Sequence, residues 1–254
     1  MLFRTSLLTL GAVVALTGCA SQENANTLAE LETRVAAMEA KVESGAGAAG
    51  ARPPARRPGQ AGVDPEKERA AAEQIKAAID KADAFDFEGA KEICAQAAKE
   101  YGATQTFQQR GRVCQEVEVI GKDAMDLEVD KWFQGEASMG DAPATLLVFW
   151  EQWCPHCKRE VPLIEQTYND NKGKLNVIGL TKVNRSATDD KVAEFITEKG
   201  ITYPIAKEKA GSLSRYYNVS GVPAAALVKD GKVVWRGHPA VLNRDNNLDK
   251  LLNN

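Results

Sequence analysis

The segment Val148-Phe149-Trp150-Glu151-Gln152-Trp153-Cys154-Pro155-His156-Cys157-Lys158-Arg159-Glu160-Val161-Pro162 joins an apolar run to two cysteines and then to a charged, proline-bearing stretch. The run reads as a buried strand and the charged stretch as a helix. Two cysteines at i and i+3, at the start of a helix that follows a strand, are the sequence form of a thiol–disulfide exchange site. Cys154 is expected at the exposed N-terminus of its helix, where unpaired backbone N–H groups and the helix dipole favour the thiolate that attacks a disulfide. Cys157, one turn further in, is shielded and resolves the mixed disulfide. His156 lies between them, placed to add positive charge or to donate a hydrogen bond to the Cys154 sulfur. Other uses of the pair fit less well. Haem attachment needs a histidine directly after the second cysteine, and Lys158 is there. A structural zinc site takes four ligands, and the only histidine besides His156 is His238. No metal and no cofactor are expected.

Composition bounds the surroundings of this segment. The chain has 254 residues, 44% hydrophobic and 26% charged, with a formal net charge of −3. That is the make-up of an ordinary globular protein, with no basic excess that would point to nucleic acid. Met1-Leu2-Phe3-Arg4 supplies one positive charge, Ser6 to Leu16 is a short apolar run, and Leu16-Thr17-Gly18-Cys19 ends it with small residues and a cysteine. This reads as a secretory signal over 1–18, too short for a spanning helix. Beyond it nothing is apolar for the length a membrane span needs. Leu16 to Cys19 resembles the lipobox of bacterial lipoproteins. The resemblance implies cleavage before Cys19, lipidation of that residue, and, with Ala20 rather than aspartate following, an envelope location facing the periplasm with the outer membrane favoured. Setting Cys19 aside leaves Cys94, Cys114, Cys154 and Cys157, two pairs in a compartment that permits disulfides.

After a tether at 19–26, Leu28, Leu31, Val35, Met38 and Val42 step by three and four residues, the a/d seam of a short coiled coil over 27–43. Its two readings are a self-associating coil that makes a homo-oligomer and a helical tether without a fixed partner. Residues 44–63 are rich in Gly, Ala, Pro and Arg and read as a disordered linker. Structure restarts at Asp64-Pro65-Glu66, a helix cap followed by proline at the first helical position. A small all-α domain is expected over 64–125, with a second helix from Glu88 to Tyr101 and a third from Thr104 to about Ala124. In an antiparallel hairpin Cys94 and Cys114 lie within about 3 Å of axial stagger, so a structural disulfide between them is reachable. The alternative is two unpaired core cysteines.

From Leu127 onward short strands alternate with helices. Strands are expected at Thr145–Trp150, Leu175–Thr181, Ala224–Lys229 and Lys232–Trp235, the last two a hairpin around Asp230-Gly231. Helices are expected at Cys157–Asn169 (interrupted by Pro162), Asp189–Lys199, Gly211–Tyr217 and Asn243–Leu252. This is an α/β domain over 127–254 with a mixed sheet.

Val148 to Pro162, Gly221-Val222-Pro223 and Asp230-Gly231-Lys232 resemble the thioredoxin fold, in its TlpA/ResA-like branch of extracytoplasmic proteins. The resemblance implies a thioredoxin-like fold, a mixed central sheet flanked by helices, here preceded by the helical domain and the coil. It implies a thiol–disulfide oxidoreductase acting on extracytoplasmic protein cysteines and served by a membrane redox partner. Cys154, Pro155, His156, Cys157 and Glu160 would carry the chemistry, Glu160 matching a glutamate that tunes the cysteines and moves protons. Trp153, Val222 and Pro223 would meet substrate, with Pro223 cis and the Val222 backbone free to pair with an extended chain. One departure stands out. Thioredoxin places a buried aspartate six residues before its first cysteine to accept the resolving thiol's proton, and Val148 occupies that position. Glu160, Glu151 or water must take the role. The resemblance also divides on direction. Pro155-His156 is the dipeptide of DsbA-type oxidases, whereas the surrounding framework is that of reductases and isomerases, which is the reading favoured. A reading of another class is a non-catalytic oligomeric scaffold that binds envelope partners through the thioredoxin-like domain.

Overall fold

Two strands with no polar side except threonine and asparagine form the middle of the sheet. The computed structural model describes residues 64–253. The signal, the Cys19 lipidation site, the coil and the linker assigned to 1–63 lie outside the described residues. The described residues fall within one compact unit.

The helical segment comprises α1 (Pro65–Asp83), α2 (Phe87–Tyr101), α3 (Gln105–Arg110) and α4 (Arg112–Glu118). Each of the first three starts on a residue whose side chain accepts from the first-turn amides. Asp64 takes Glu66 N and Lys67 N, Asp86 takes Gly89 N, and Thr104 takes Phe107 N; such caps satisfy donors that have no partner within the helix. The single helix expected from Thr104 to Ala124 is not found. It divides at Gly111, whose weak helix preference costs about 1 kcal/mol relative to alanine, and ends at Glu118. Residues 121–124 are drawn instead into pairing with the sheet. Gly121 N donates to Val233 O at 2.7 Å, Ala124 N to Gly231 O at 2.7 Å, and Lys122 O accepts from Val233 N at 2.9 Å. Cys94 of α2 and Cys114 of α4 are disulfide-bonded, with their Cα atoms 5.2 Å apart.

The sheet contains β1 (Val129–Gln134), β2 (Ala144–Phe149), β3 (Leu175–Thr181), β4 (Ile205–Glu208), β5 (Ala224–Lys229) and β6 (Lys232–Gly237), in the order β1-β4-β3-β2-β5-β6. β4, β3 and β2 run parallel, while β1, β5 and β6 pair antiparallel with their neighbours. Every residue of β2 and β3 is buried, because helices or loops cover both faces and neither face can remain polar. Alternation along β2 sorts the core. Leu146, Val148 and Trp150 face α5 (Pro155–Asp170) and α6 (Asp189–Glu198), while Leu147 and Phe149 face Leu213 of α7 (Ser212–Tyr216) and Tyr217. Each such fully buried aliphatic side chain contributes roughly 1.5–3 kcal/mol. The β5–β6 turn places Asp230 and Gly231 at φ 50° and 71°, which the tight hairpin turn requires.

β1 and β4 were not expected from the sequence. β4 is four residues long and its Lys207 and Glu208 obscure the apolar pattern, and β1 carries a half-exposed mixture of side chains. Two further expectations are corrected. Helix α5 continues through Pro162; the missing amide frees only the carbonyl of Lys158, which lies on the exposed face. The helix expected over Asn243–Leu252 starts only at Asn247, as α8 (Asn247–Asn253), after a separate 3₁₀ turn at Pro239–Val241. Asp245 and Asn246 adopt φ of 50° and 56°, a left-handed backbone incompatible with one continuous helix.

The helical segment is fastened to the sheet by Arg236 of β6. Its fully buried guanidinium donates to the carbonyls of Tyr217, Ala225 and Gly237 and lies 3.5 Å from the Glu116 carboxylate on α4. Burial lowers its pKa to about 10, against the pull of Glu116, so it stays charged at neutral pH.

Candidate active site

β2 and β3 are parallel neighbours, so the loops at their C-terminal ends lie side by side. Trp150 N still donates to Leu180 O at 2.9 Å; beyond it the chain turns through Glu151, Gln152 and Trp153 into α5. Cys154 is the N-cap of that helix and Pro155 its first residue. The Cys154 sulfur accepts from Cys157 N at 3.5 Å, and Cys154 N donates to Glu151 O at 3.0 Å. Both cysteines are in the thiol form. The expected exposure of Cys154 is not found: it is 5% exposed and Cys157 is 0% exposed. Burial pushes the Cys157 thiol well above its ordinary range, aided by the neighbouring Cys154 sulfur and the Glu151 charge and opposed by the Glu151 main chain.

The Gly221-Val222-Pro223 loop lies over the first cysteine. The Val222–Pro223 peptide is cis, and the Cys154 thiol donates to Val222 O at 3.6 Å. Among the described residues the Val222 N–H has no hydrogen-bond partner. From the helical segment, Arg112 Nη2 donates to Gly221 O at 3.3 Å while its Nε donates to Glu116 at 2.8 Å.

On the other side, the loop after β3 holds Trp153. Its indole Nε1 donates to Asn184 Oδ1 at 2.8 Å, and the Arg185 guanidinium sits 4.1 Å over the ring. Asn184 Nδ2 donates in turn to Glu151 Oε1 at 3.3 Å, and Thr181 Oγ1 donates to Glu151 Oε2 at 3.4 Å. Glu151 is 4% exposed. Burial raises its pKa above the usual carboxylate range; the Lys182 amide and ammonium pull it back and Glu208 pushes it up.

One expected residue, His156, sits otherwise than the sequence suggests. His156 is exposed and its Nδ1 lies 2.7 Å from the Arg159 guanidinium, not against the Cys154 sulfur. A guanidinium has no acceptor, so Nδ1 accepts and the ring proton is on Nε2. Glu160 is half-buried, and its charge is felt at His238, where burial lowers the imidazole pKa and Glu160 opposes that. Val148 is a fully buried core residue. The sequence reading missed Asn184 and Arg112. Asn184 had one usable signal, its place in the loop after a strand that runs parallel to β2. Arg112 had none, because it reaches the site from a helix more than a hundred residues away.

A β-α-β unit whose helix is capped by a cysteine, set against a β-hairpin unit entered through a cis proline, makes this a thioredoxin-fold protein. The AhpC/TSA family model matches residues 120–236. Over 119 residues the chain is 30% identical to thiol-disulfide oxidoreductase ResA of Bacillus thuringiensis subsp. konkukian (strain 97-27), covering 45% of this chain and 67% of that protein. It is 29% identical over 87 residues to sporulation thiol-disulfide oxidoreductase A of Bacillus subtilis (strain 168), covering 34% of this chain and 53% of that protein. The matches thus span about half the length of one relative (53%) and two thirds of the other (67%). Among solved structures, a thiol-disulfide isomerase from Corynebacterium glutamicum is similar at 24% identity and a TM-score of 0.45, covering 51% of this chain and 93% of that one. The chain belongs to the ResA family of thiol–disulfide oxidoreductases.

Proposed function

We propose that this protein is a membrane-anchored, extracytoplasmic thiol–disulfide oxidoreductase that works on protein cysteines through Cys154-Pro155-His156-Cys157, as a reductase or isomerase. The observation that carries the reading is the asymmetry of the two sulfurs. Cys154 caps a helix and touches the Val222 carbonyl, whereas Cys157 is wholly enclosed one turn behind it. In the reductive cycle the Cys154 thiolate attacks a substrate disulfide, forming a mixed disulfide and releasing one substrate thiolate. Cys157, deprotonated, then attacks the Cys154 sulfur, which releases the second substrate thiolate and leaves a Cys154–Cys157 disulfide. Two electrons pass to the substrate, and a membrane redox partner returns the dithiol. In isomerisation another substrate thiol resolves the mixed disulfide, and no net electrons move. Trp153 and the unpaired Val222 N–H would receive an extended substrate segment beside Cys154. The anchor would be lipid on Cys19, with the outer membrane favoured and the 27–43 coil gathering copies; Cys94–Cys114 would serve as a structural clamp.

Direction is supported by His156. Its ring hydrogen-bonds Arg159 rather than the Cys154 sulfur, and stabilisation of that sulfur is the physical basis of a strongly oxidising dithiol. The second reading, a DsbA-like dithiol oxidase, is favoured by the Pro155-His156 dipeptide itself. The reduction potential of the Cys154–Cys157 couple separates them. A value near about −270 mV supports the reductant, and one near about −120 mV the oxidant.

A further inference from the structure

Within the proposed exchange reaction, the resolving step lacks a proton acceptor at the position where the fold usually holds one, since Val148 is part of the apolar core. Cys157 is enclosed, and its thiol is held protonated by burial. A thiol is a poor nucleophile, so some group must remove the proton before Cys157 can attack. Glu160 is half-buried; its charge is felt at His238, whereas the carboxylate felt at Cys157 is that of Glu151. Glu151 remains, and its setting is unusual. It is 4% exposed, yet among the described residues it forms no ion pair. Carboxylates are rarely buried without a charged partner, and where they are, beside a reactive group, function is the leading explanation. Its hydrogen-bond donors are neutral: the Thr181 hydroxyl, the Asn184 amide and the Lys182 backbone N–H.

The orientation of Asn184 is fixed by chemistry. The Trp153 indole nitrogen can only donate, so the Asn184 oxygen must face it and the Asn184 NH₂ must face Glu151. The flanking Val183 and Arg185 hold positive φ of 53° and 58°. A β-branched residue rarely adopts that backbone, so the loop is held in place by its surroundings.

We infer that Glu151 is the proton acceptor for Cys157 and that Asn184 is its positioning residue, tying it to Trp153 at the substrate face. The inference rests on the exchange reaction proposed above. Cys157 S–H gives its proton to the Glu151 carboxylate. The resulting thiolate attacks the Cys154 sulfur of the mixed disulfide, the Cys154–substrate S–S bond breaks, and the substrate leaves as a thiolate carrying the electron pair. Glu151, now neutral, returns the proton to the leaving thiolate or to solvent. The titratable groups coupled to Glu151 are Lys182 after β3, Glu208 on β4 and Cys157. Lys182 favours the ionised carboxylate that an acceptor needs; burial and Glu208 oppose it.

The test is stopped-flow reaction of the reduced full-length protein with an aromatic disulfide that releases a coloured thiolate. The first equivalent reports attack by Cys154 and the second reports resolution by Cys157. Glu151→Gln is expected to slow the second phase about 100-fold at neutral pH, the range of a lost general base, while the first phase stays within about threefold and shows that the variant is folded. Its second phase should then rise steadily with pH as hydroxide takes over. Asn184→Ala removes a hydrogen bond to the ionised carboxylate, so the pH at half-maximal resolving rate should move up. A Glu151→Gln variant that resolves like wild type, or a Glu160→Gln variant that slows in its place, overturns the inference and leaves the exchange reaction standing. A wild-type protein that releases no first equivalent overturns both.

Discussion

Arg112 donates to the carbonyl of Gly221 at 3.3 Å, one residue before Val222, whose own carbonyl accepts from the Cys154 thiol. The helical segment therefore belongs to the wall of the candidate site. Arg112 is held at its other end by Glu116, and Glu116 also faces the buried Arg236, so one carboxylate joins the loop, the helix and the sheet.

Removing the guanidinium should loosen the loop without touching the sulfurs. Arg112 is 40% exposed, so solvent screening holds its contribution to about 1 kcal/mol, roughly a fivefold effect. Arg112→Ala is expected to raise KM for a disulfide-bearing protein by about that factor and to leave kcat within about twofold. A fall in kcat at constant KM would place Arg112 in the chemistry instead.

Glu116→Leu should act on stability. It leaves the fully buried Arg236 without its counter-charge, although the carbonyls of Tyr217, Ala225 and Gly237 still accept from it. Breaking a buried pair costs about 3–5 kcal/mol, and the remaining carbonyls place the loss at the lower end. Denaturant unfolding measures it; the double variant Glu116→Leu with Arg236→Met should recover much of the loss.

Burial raises the Glu151 pKa in the folded state. The folded protein therefore binds more protons than the unfolded chain between the unfolded value, about 4.3, and the folded one, and stability falls as pH rises through that window. Glu151→Gln removes the penalty. Its melting temperature should exceed that of the parent at pH 7 and match it below about pH 4. A variant less stable than the parent at both values would show that the carboxylate charge stabilises the fold.

The Cys94–Cys114 bond closes a separation of 20 residues. On loop-closure grounds Cys94→Ser with Cys114→Ser should cost about 3 kcal/mol, read by urea unfolding. Because Cys154 and Cys157 take no part in this bond, single-turnover attack by Cys154 should survive in conditions where the variant is folded.

The fold was largely legible because its central strands are local signals. Leu175 to Thr181 and Ala224 to Lys229 are almost wholly buried and read as mainly apolar runs, broken by Asn176 and closed by Thr181 and Lys229, and Asp230-Gly231 is a hairpin turn on its own chemistry. β1 and β4 lie toward the far side of the sheet, where mixed exposure erases the pattern. Residues 121–124 look helical by themselves and were claimed by β6 through backbone bonds no local rule foresees. The site divides the same way. The cysteines at the head of α5 are a local motif. Asn184 and Arg112 reach them through the parallel register of β2 and β3 and through the docking of α4. The orientation of His156 was decided by Arg159 one turn on, a contact the helical spacing permits and the sequence alone does not choose.

The central claim, an exchange site in which Cys154 attacks and Cys157 resolves, is tested most directly by trapping. In cells producing each variant, Cys157→Ala should accumulate mixed disulfides with envelope proteins, seen as bands that collapse on reduction, and Cys154→Ala should accumulate none. Equal trapping by both variants, or trapping by Cys154→Ala alone, would contradict it.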